Sequence, residues 1–254
     1  MISYTKSLIS NYKYLLIKLD YLVANSFFYV QCQFTEMLKD IIISRILFLK
    51  SSFKITSGNE NCQIDIDTDM LIQKGRGNSL AKYSSSYELS EMPEIFNRII
   101  IKHKSEIIKY LGRSFLYEKP ICFRNFNYPE QFTNYDIFSN VWHQDSHDGN
   151  RLLKIFALPH NVSVSDGPFH YLDEKSVRKH WRPLRERWSF EKFTKKPSFP
   201  EEIQMTGEKN DYLILDSSRC MHRASNPKKH RDIIAITLYP RWRKKSDRKK
   251  YVFN

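Results

Sequence analysis

Apolar positions follow two rhythms along this chain. In residues 7–50, Leu15, Ile17, Leu19, Leu22 and Val23 are dense rather than cleanly periodic. Met37–Leu47 fits one face of a 3.6-residue repeat and predicts a core-facing helix rather than one lying on a membrane surface. Ser51–Ser86 is polar, with Gly58, Gly75 and Gly77, and predicts loops with one or two short strands. The clearest helix is expected from Ser90 to Leu111. Ser90 can cap it, Pro93 falls in the first turn, and Glu91 and Glu94 suit the positive end of the dipole. Ile95, Phe96, Ile99, Ile100, Ile107, Ile108 and Leu111 form its stripe, and Gly112 is its stop.

From Pro120 the rhythm shortens. Ile121–Phe126, Ile137–Trp142, Leu152–Leu158, Val162–Val164, Glu202–Met205, Tyr212–Leu215 and Ile233–Tyr239 are short runs with aromatic and β-branched residues. Turn signals such as Asn-Tyr-Pro and Asp-Gly separate them, which predicts an all-β sandwich or barrel. The expected architecture is mainly β with flanking helices, in a single domain over 1–254. A mostly helical N-terminal buttress occupies 1–115, a jelly-roll core 116–240, and an exposed basic tail 241–254.

Composition narrows the class. Hydrophobic residues make up 41% and aromatic residues 14%, with 7 Gly and 10 Pro, which excludes a disordered chain. The four cysteines, at 32, 62, 122 and 220, form no CxxC pair, so neither a zinc knuckle nor a compact disulfide framework is expected. A reduced, cytoplasmic setting follows. Leu22–Val30 is too short and too interrupted to span or enter a membrane, and no leader pattern precedes it.

The chemistry gathers between Val141 and Arg231. His143 and Asp145 lie two apart, and on a strand that spacing puts both side chains on one face, about 7 Å apart. His222, after the Asp211–Asp216 run, is the candidate third ligand. Two imidazoles and one carboxylate on one face of an octahedron leave three positions open, the pattern of a non-haem Fe(II) site. A bare HxD is weak; the conjunction with a distal histidine and a fixed cation carries the signal. Arg231, Ile233, Ala235, Thr237 and Tyr239 alternate, so Arg231 is expected to face inward, where a guanidinium among apolar residues needs an anion such as the far carboxylate of 2-oxoglutarate.

These motifs resemble the Fe(II)/2-oxoglutarate-dependent dioxygenase superfamily, and within it the phytanoyl-CoA dioxygenase-like family. The resemblance covers roughly residues 137–240. His143-Gln144-Asp145 resembles the family's HxD, His222-Arg223-Ala224 its distal "HRA", and Asp166-Gly167-Pro168-Phe169 its "NGP" turn. By that resemblance the core is a double-stranded β-helix, His143, Asp145 and His222 hold Fe(II), Arg231 anchors 2-oxoglutarate, and O2 is the co-substrate of a hydroxylase. The segment after the turn, Tyr171–Ser176, departs from the family's proline-glycine-serine-histidine, and Ala224 stands where a small hydroxyl residue is usual. The carboxylate of Asp145 argues against the halide-binding variant of the site.

Other residues have plainer readings. His147 and Asp148 fall past the expected strand end, near Gly149. His160, His170, His180 and His230 are expected at the surface or satisfied structurally, and Cys220 as a packing residue. The formal charge of +13 concentrates in 173–196 and in 241–250. Lys175, Arg178, Lys179 and Arg182 are the candidate contacts for an anionic or carrier-bound small-molecule substrate. Nucleic acid is the alternative partner for this stretch, and a cupin-like metal protein without oxygenase activity is the third reading.

Overall fold

The computed structural model describes residues 27–50, 52–62, 64, 83–133, 137, 139–145, 151–173, 187–188 and 201–253. In chain order the helices are α1 (Phe27–Ile46), α2 (Glu94–Lys102) and α3 (Lys104–Leu111). The strands are β1 (Thr56–Asn59), β2 (Ser84–Glu88), β3 (Ser114–Tyr117), β4 (Ile121–Phe126), β5 (Trp142–His143), β6 (Leu153–Ala157) and β7 (Phe169–Tyr171), then β8 (Arg187–Trp188), β9 (Ile203–Met205), β10 (Asp211–Leu215), β11 (His222–Ala224), β12 (His230–Pro240) and β13 (Lys249–Val252).

Two antiparallel sheets form. The larger runs β1-β10-β6-β12-β3-β13, with β4 also on β12 and β2 on β4; the smaller runs β8-β5-β11-β7-β9. Between β4 and β12 the chain passes repeatedly from one sheet to the other, so β4, β12, β6 and β10 stand opposite β5, β11, β7 and β9. That alternation is the jelly roll expected from the sequence.

Burial divides β6, β10 and β12 by parity. Phe156, Leu213, Leu215, Ile233 and Ala235 face the smaller sheet and pack with Phe169, Tyr171 and Met205. Ile155, Tyr212, Ile214, Ile234, Ile236 and Leu238 face outward, against Ile95, Phe96, Ile99, Ile100, Ile107 and Leu111 of the helix pair. Strands covered on both faces read as continuous apolar runs, as these do. Each fully buried Ile or Phe contributes about 1.5–3 kcal/mol.

The predicted long helix is two. It begins at Glu94, not Ser90, because Pro93 is the N-cap in an extended conformation (ψ 144°) and the residue before a proline avoids helical geometry. The axis breaks at His103, whose N–H still reaches Ile99 O (3.0 Å) while its carbonyl takes Ile107 N–H (3.0 Å). The ring turns to Tyr212 on β10, Nε2 to hydroxyl 2.7 Å, pinning the helices to the sheet.

Three further expectations are corrected. α1 buries Asp40 and Ser44 and leaves Ile42 and Ile46 exposed: Asp40 accepts from Trp242 Nε1 (2.8 Å) and from Arg243. The segment 241–254 is no exposed arm. β13 pairs with β3, Tyr251 stacks on Phe115 at 4.8 Å, and Arg248 donates to Glu118 (3.0 Å) while lying 3.4 Å over the Tyr239 ring. Its basic residues alternate between buried, partnered guanidiniums and solvent, which a charge count does not distinguish. Finally, Val162–Val164 is not a strand. Asp166 accepts from Ser163 N (2.8 Å) and Ser163 Oγ (2.6 Å) and closes a 3-10 turn instead.

Gly167, at the end of that turn, has φ 69°, and a Cβ there would stand 2.5 Å from Pro227 N and 2.7 Å from Ser225 O. Only glycine lets the turn lie against the loop that joins β11 to β12.

Among the described residues no helix is long and apolar enough to cross a membrane, and Cys62, Cys122 and Cys220 are buried.

Candidate metal centre

His143 and His222 face each other directly across the β5–β11 pair, with ring centroids 4.2 Å apart. Asp145 completes the group: its carboxylate lies 3.7 Å from His143 Nε2 and 3.5 Å from His222 Nε2. One ligating atom from each residue falls within 4.8 Å of the other two. The three residues singled out in the sequence therefore converge.

Asp145 arrives by a different route from the one expected. β5 ends at His143, so Asp145 lies beyond the strand. The turn after β10 holds it. Ser217 O accepts Asp145 N–H (2.8 Å), Arg219 O accepts Gln144 Nε2–H (2.7 Å), and Cys220 O accepts from His222 Nδ1 (3.0 Å). One turn thus orients ligands from two strands. Its own geometry rests on Asp216, whose carboxylate accepts from Ser218 N (2.9 Å), Ser218 Oγ (2.5 Å) and the hydroxyl of Tyr110 on α3. Asp216, Ser217 and Tyr110 are all fully buried or nearly so.

The tautomers follow. His143 Nδ1 lies 2.9 Å from Val141 O and His222 Nδ1 lies 3.0 Å from Cys220 O. A carbonyl only accepts, so both rings carry hydrogen on Nδ1 and turn an Nε2 lone pair toward Asp145. Fixing the ring through its far nitrogen is how metal-binding histidines are oriented. Burial alone would raise the Asp145 carboxyl. The Lys154 ammonium, 2.6 Å away, together with the charge the two histidines carry when protonated and free of metal, more than offsets burial and holds it well below the usual carboxylate range. Two neutral nitrogen donors and one anionic oxygen, confined to one side, suit a divalent transition metal with open positions.

Arg231 lies on β12, opposite Asn125 of β4, and is 3% exposed. Among the described residues its Nε and Nη1 have no hydrogen-bond partner. Burial pulls the guanidinium down to about 10, opposed by neighbouring Asp232. Asp232 itself is engaged elsewhere, in a two-point pair with Arg124 (both 2.7 Å). A buried fork of donors with open valences is a receptor for a carboxylate.

Lys154, on β6 opposite Thr237, escaped the sequence reading. A signal was there: it is the one charge within the run Leu152–Leu158. With Asp145, Leu152, Ile121, Phe123 and Thr237 it lines a cavity beside the metal-binding group. Among the histidines set aside, His170 is satisfied by Ser225 Oγ (3.0 Å) and Glu202 (3.3 Å), and His230 is exposed. Cys220 packs between the sheets as expected. Lys175, Arg178, Lys179 and Arg182, with His147, Asp148 and His180, lie outside the described residues.

No family model matches the sequence, and no curated protein matches it. Solved structures resemble it at low identity. HygX from Streptomyces hygroscopicus, with nickel, 2-oxoglutarate and hygromycin B bound, is 13% identical over 80% of this chain and 87% of its own, at a TM-score of 0.47. The epimerase SnoN, in complex with Fe3+, alpha ketoglutarate and nogalamycin RO, is 9% identical over 81% and 75%, at 0.41. The viral collagen prolyl hydroxylase vCPH from Paramecium Bursaria Chlorella virus-1, in its 2OG complex, is 10% identical over 73% and 95%, at 0.43.

Proposed function

We propose that this protein is an Fe(II)- and 2-oxoglutarate-dependent dioxygenase that hydroxylates a C–H bond of a small, anionic or carrier-bound molecule. The observation that carries the reading is the pairing of two unmet demands in one jelly roll: three ligating atoms within 4.8 Å of one another and a buried guanidinium with open donors. His143, Asp145 and His222 would hold the metal, and Arg231 the far carboxylate of 2-oxoglutarate. The bound metal and co-substrate would supply the activation of O2, so that R–H, 2-oxoglutarate and O2 become R–OH, succinate and CO2.

The chain's own contribution is placement. The 216–220 turn sets the ligands, Nδ1–H bonds fix the imidazoles, and the apolar walls of the two sheets exclude water. A cupin-like metal protein that uses no oxo-acid has no use for Arg231, and the nucleic-acid reading rests on 173–196, which lies largely outside the described residues, and on a tail whose Arg243 and Arg248 are paired with Asp40 and Glu118.

The test is an anaerobic titration of apo-protein with Fe(II) and 2-oxoglutarate, monitoring the visible charge-transfer band of the chelate. The band is expected in the wild type, lost in His222→Ala, and shifted to much higher 2-oxoglutarate concentration in Arg231→Ala. Metal binding without a band would favour the cupin-like reading. No metal binding would defeat both.

A further inference from the structure

Lys154 stands on the cavity side of the metal-binding group, its Nζ 2.6 Å from Asp145 Oδ2. On β12, Thr237, the cross-strand partner of Lys154, lies six positions after Arg231, about 20 Å of extended chain. The two cations therefore stand well apart, Arg231 near the start of β12 and Lys154 on β6 beside its later half. A single 2-oxoglutarate that chelates the metal and meets Arg231 does not serve Lys154 as well.

Loading the site changes its charge balance. A divalent metal, Arg231 and Lys154 bring four positive charges; Asp145 and dianionic 2-oxoglutarate bring three negative ones. In the structure the Asp145 carboxylate meets Lys154 at 2.6 Å, with the two histidines farther off at 3.5 and 3.7 Å. Once the carboxylate is shared with a metal ion, part of that compensation is drawn away from Lys154, which remains largely out of solvent (side chain 23% exposed). The other charges at the cavity mouth are already committed: Glu118 to Arg248 (3.0 Å) and Lys119 to Glu88 (3.4 Å). The remaining walls, Ile121, Phe123, Leu152 and Ala235, are apolar. A partly buried cation without a counter-charge is costly, and the cheapest remedy is an anion.

Resting on the dioxygenase reading above, we propose that the primary substrate is a small organic monoanion whose carboxylate pairs with Lys154, its hydrocarbon body lying between Ile121, Phe123 and Leu152 in this cavity. A lysine ammonium recognises charge rather than fork geometry, so the demand is for a negative group at that end.

The test uses full-length protein loaded anaerobically with Fe(II) and 2-oxoglutarate, titrated with hexanoate and with its neutral isostere hexanamide. Hexanoate should shift the charge-transfer band and hexanamide should require at least about tenfold more. Lys154→Met and Lys154→Gln should weaken hexanoate by about tenfold or more, and Lys154→Arg should restore it within a few-fold. The 2-oxoglutarate requirement of each variant checks that the site is intact. Equal binding of acid and amide, wild-type affinity for hexanoate in Lys154→Met, or no response to hexanoate would each overturn the proposal while leaving the dioxygenase reading standing. Absence of the band in the wild type would remove that reading, and this proposal with it.

Discussion

The backbone N–H of Asp145 donates to the carbonyl of Ser217 at 2.8 Å, tying the carboxylate ligand to the turn that also orients His222. Because Asp216 shapes that turn and Tyr110 holds Asp216, a residue on a helix outside the sheets acts on the ligand set through hydrogen bonds. Tyr110→Phe keeps the packing and removes the bond. We predict a loss of about 1–3 kcal/mol in stability together with metal affinity weaker by about ten- to a hundredfold. Co(II) titration, read by its visible ligand-field bands, checks the second part. A variant that melts earlier yet binds Co(II) with wild-type affinity would mean that the turn is merely structural.

Arg231 makes the opposite prediction for the apo-protein. An unpartnered buried guanidinium costs stability, so Arg231→Met should melt at or above the wild-type temperature in the absence of ligands. The wild type should gain thermal stability on adding 2-oxoglutarate with Co(II), and the variant should not. Differential scanning measurements on both proteins decide it; a destabilised variant that still responds to 2-oxoglutarate would count against the anchor.

Acid sensitivity should trace in part to Asp232. Burial raises its carboxyl, but Arg124 and His160 outweigh burial and bring it to about 2 from 3.8. The folded value lies below the unfolded one, so the stabilisation is complete above pH 3.8 and is lost as pH falls toward 2. Its size is about 2 kcal/mol. The stability gap between wild type and Asp232→Asn should therefore close between pH 5 and about 2, measured by urea melts; a gap independent of pH would refute the assignment.

Gly167→Ala should be among the most damaging small substitutions. The residue would need positive φ and would drive a methyl group to 2.5 Å from Pro227 N. A destabilisation of about 2 kcal/mol or more is expected, with looser metal binding because the displaced loop follows directly on β11. Thermal melts and Co(II) affinity measured together test both effects.

The sequence by itself determined the runs that became β4, β6, β9, β10 and β12, the inward parity of β12 and the identities of the three residues that meet, because alternation and residue chemistry are local properties; Ile137–Trp142 and Val162–Val164 read as strands and are not, apart from Trp142 in β5. It also placed Gly167 at a turn that demands it. It did not determine where Asp145 is held, since β5 ends two residues early and the turn after β10, over seventy residues away, supplies the constraint. The same limit explains α1, the 241–254 segment and Lys154. Asp40 and Arg243 look like surface charges until they are brought together from opposite ends of the chain. Lys154 looks like an interruption in a strand until Asp145 is placed against it. A charge is buried or solvated according to partners distant in sequence, and only the tertiary structure assigns those partners.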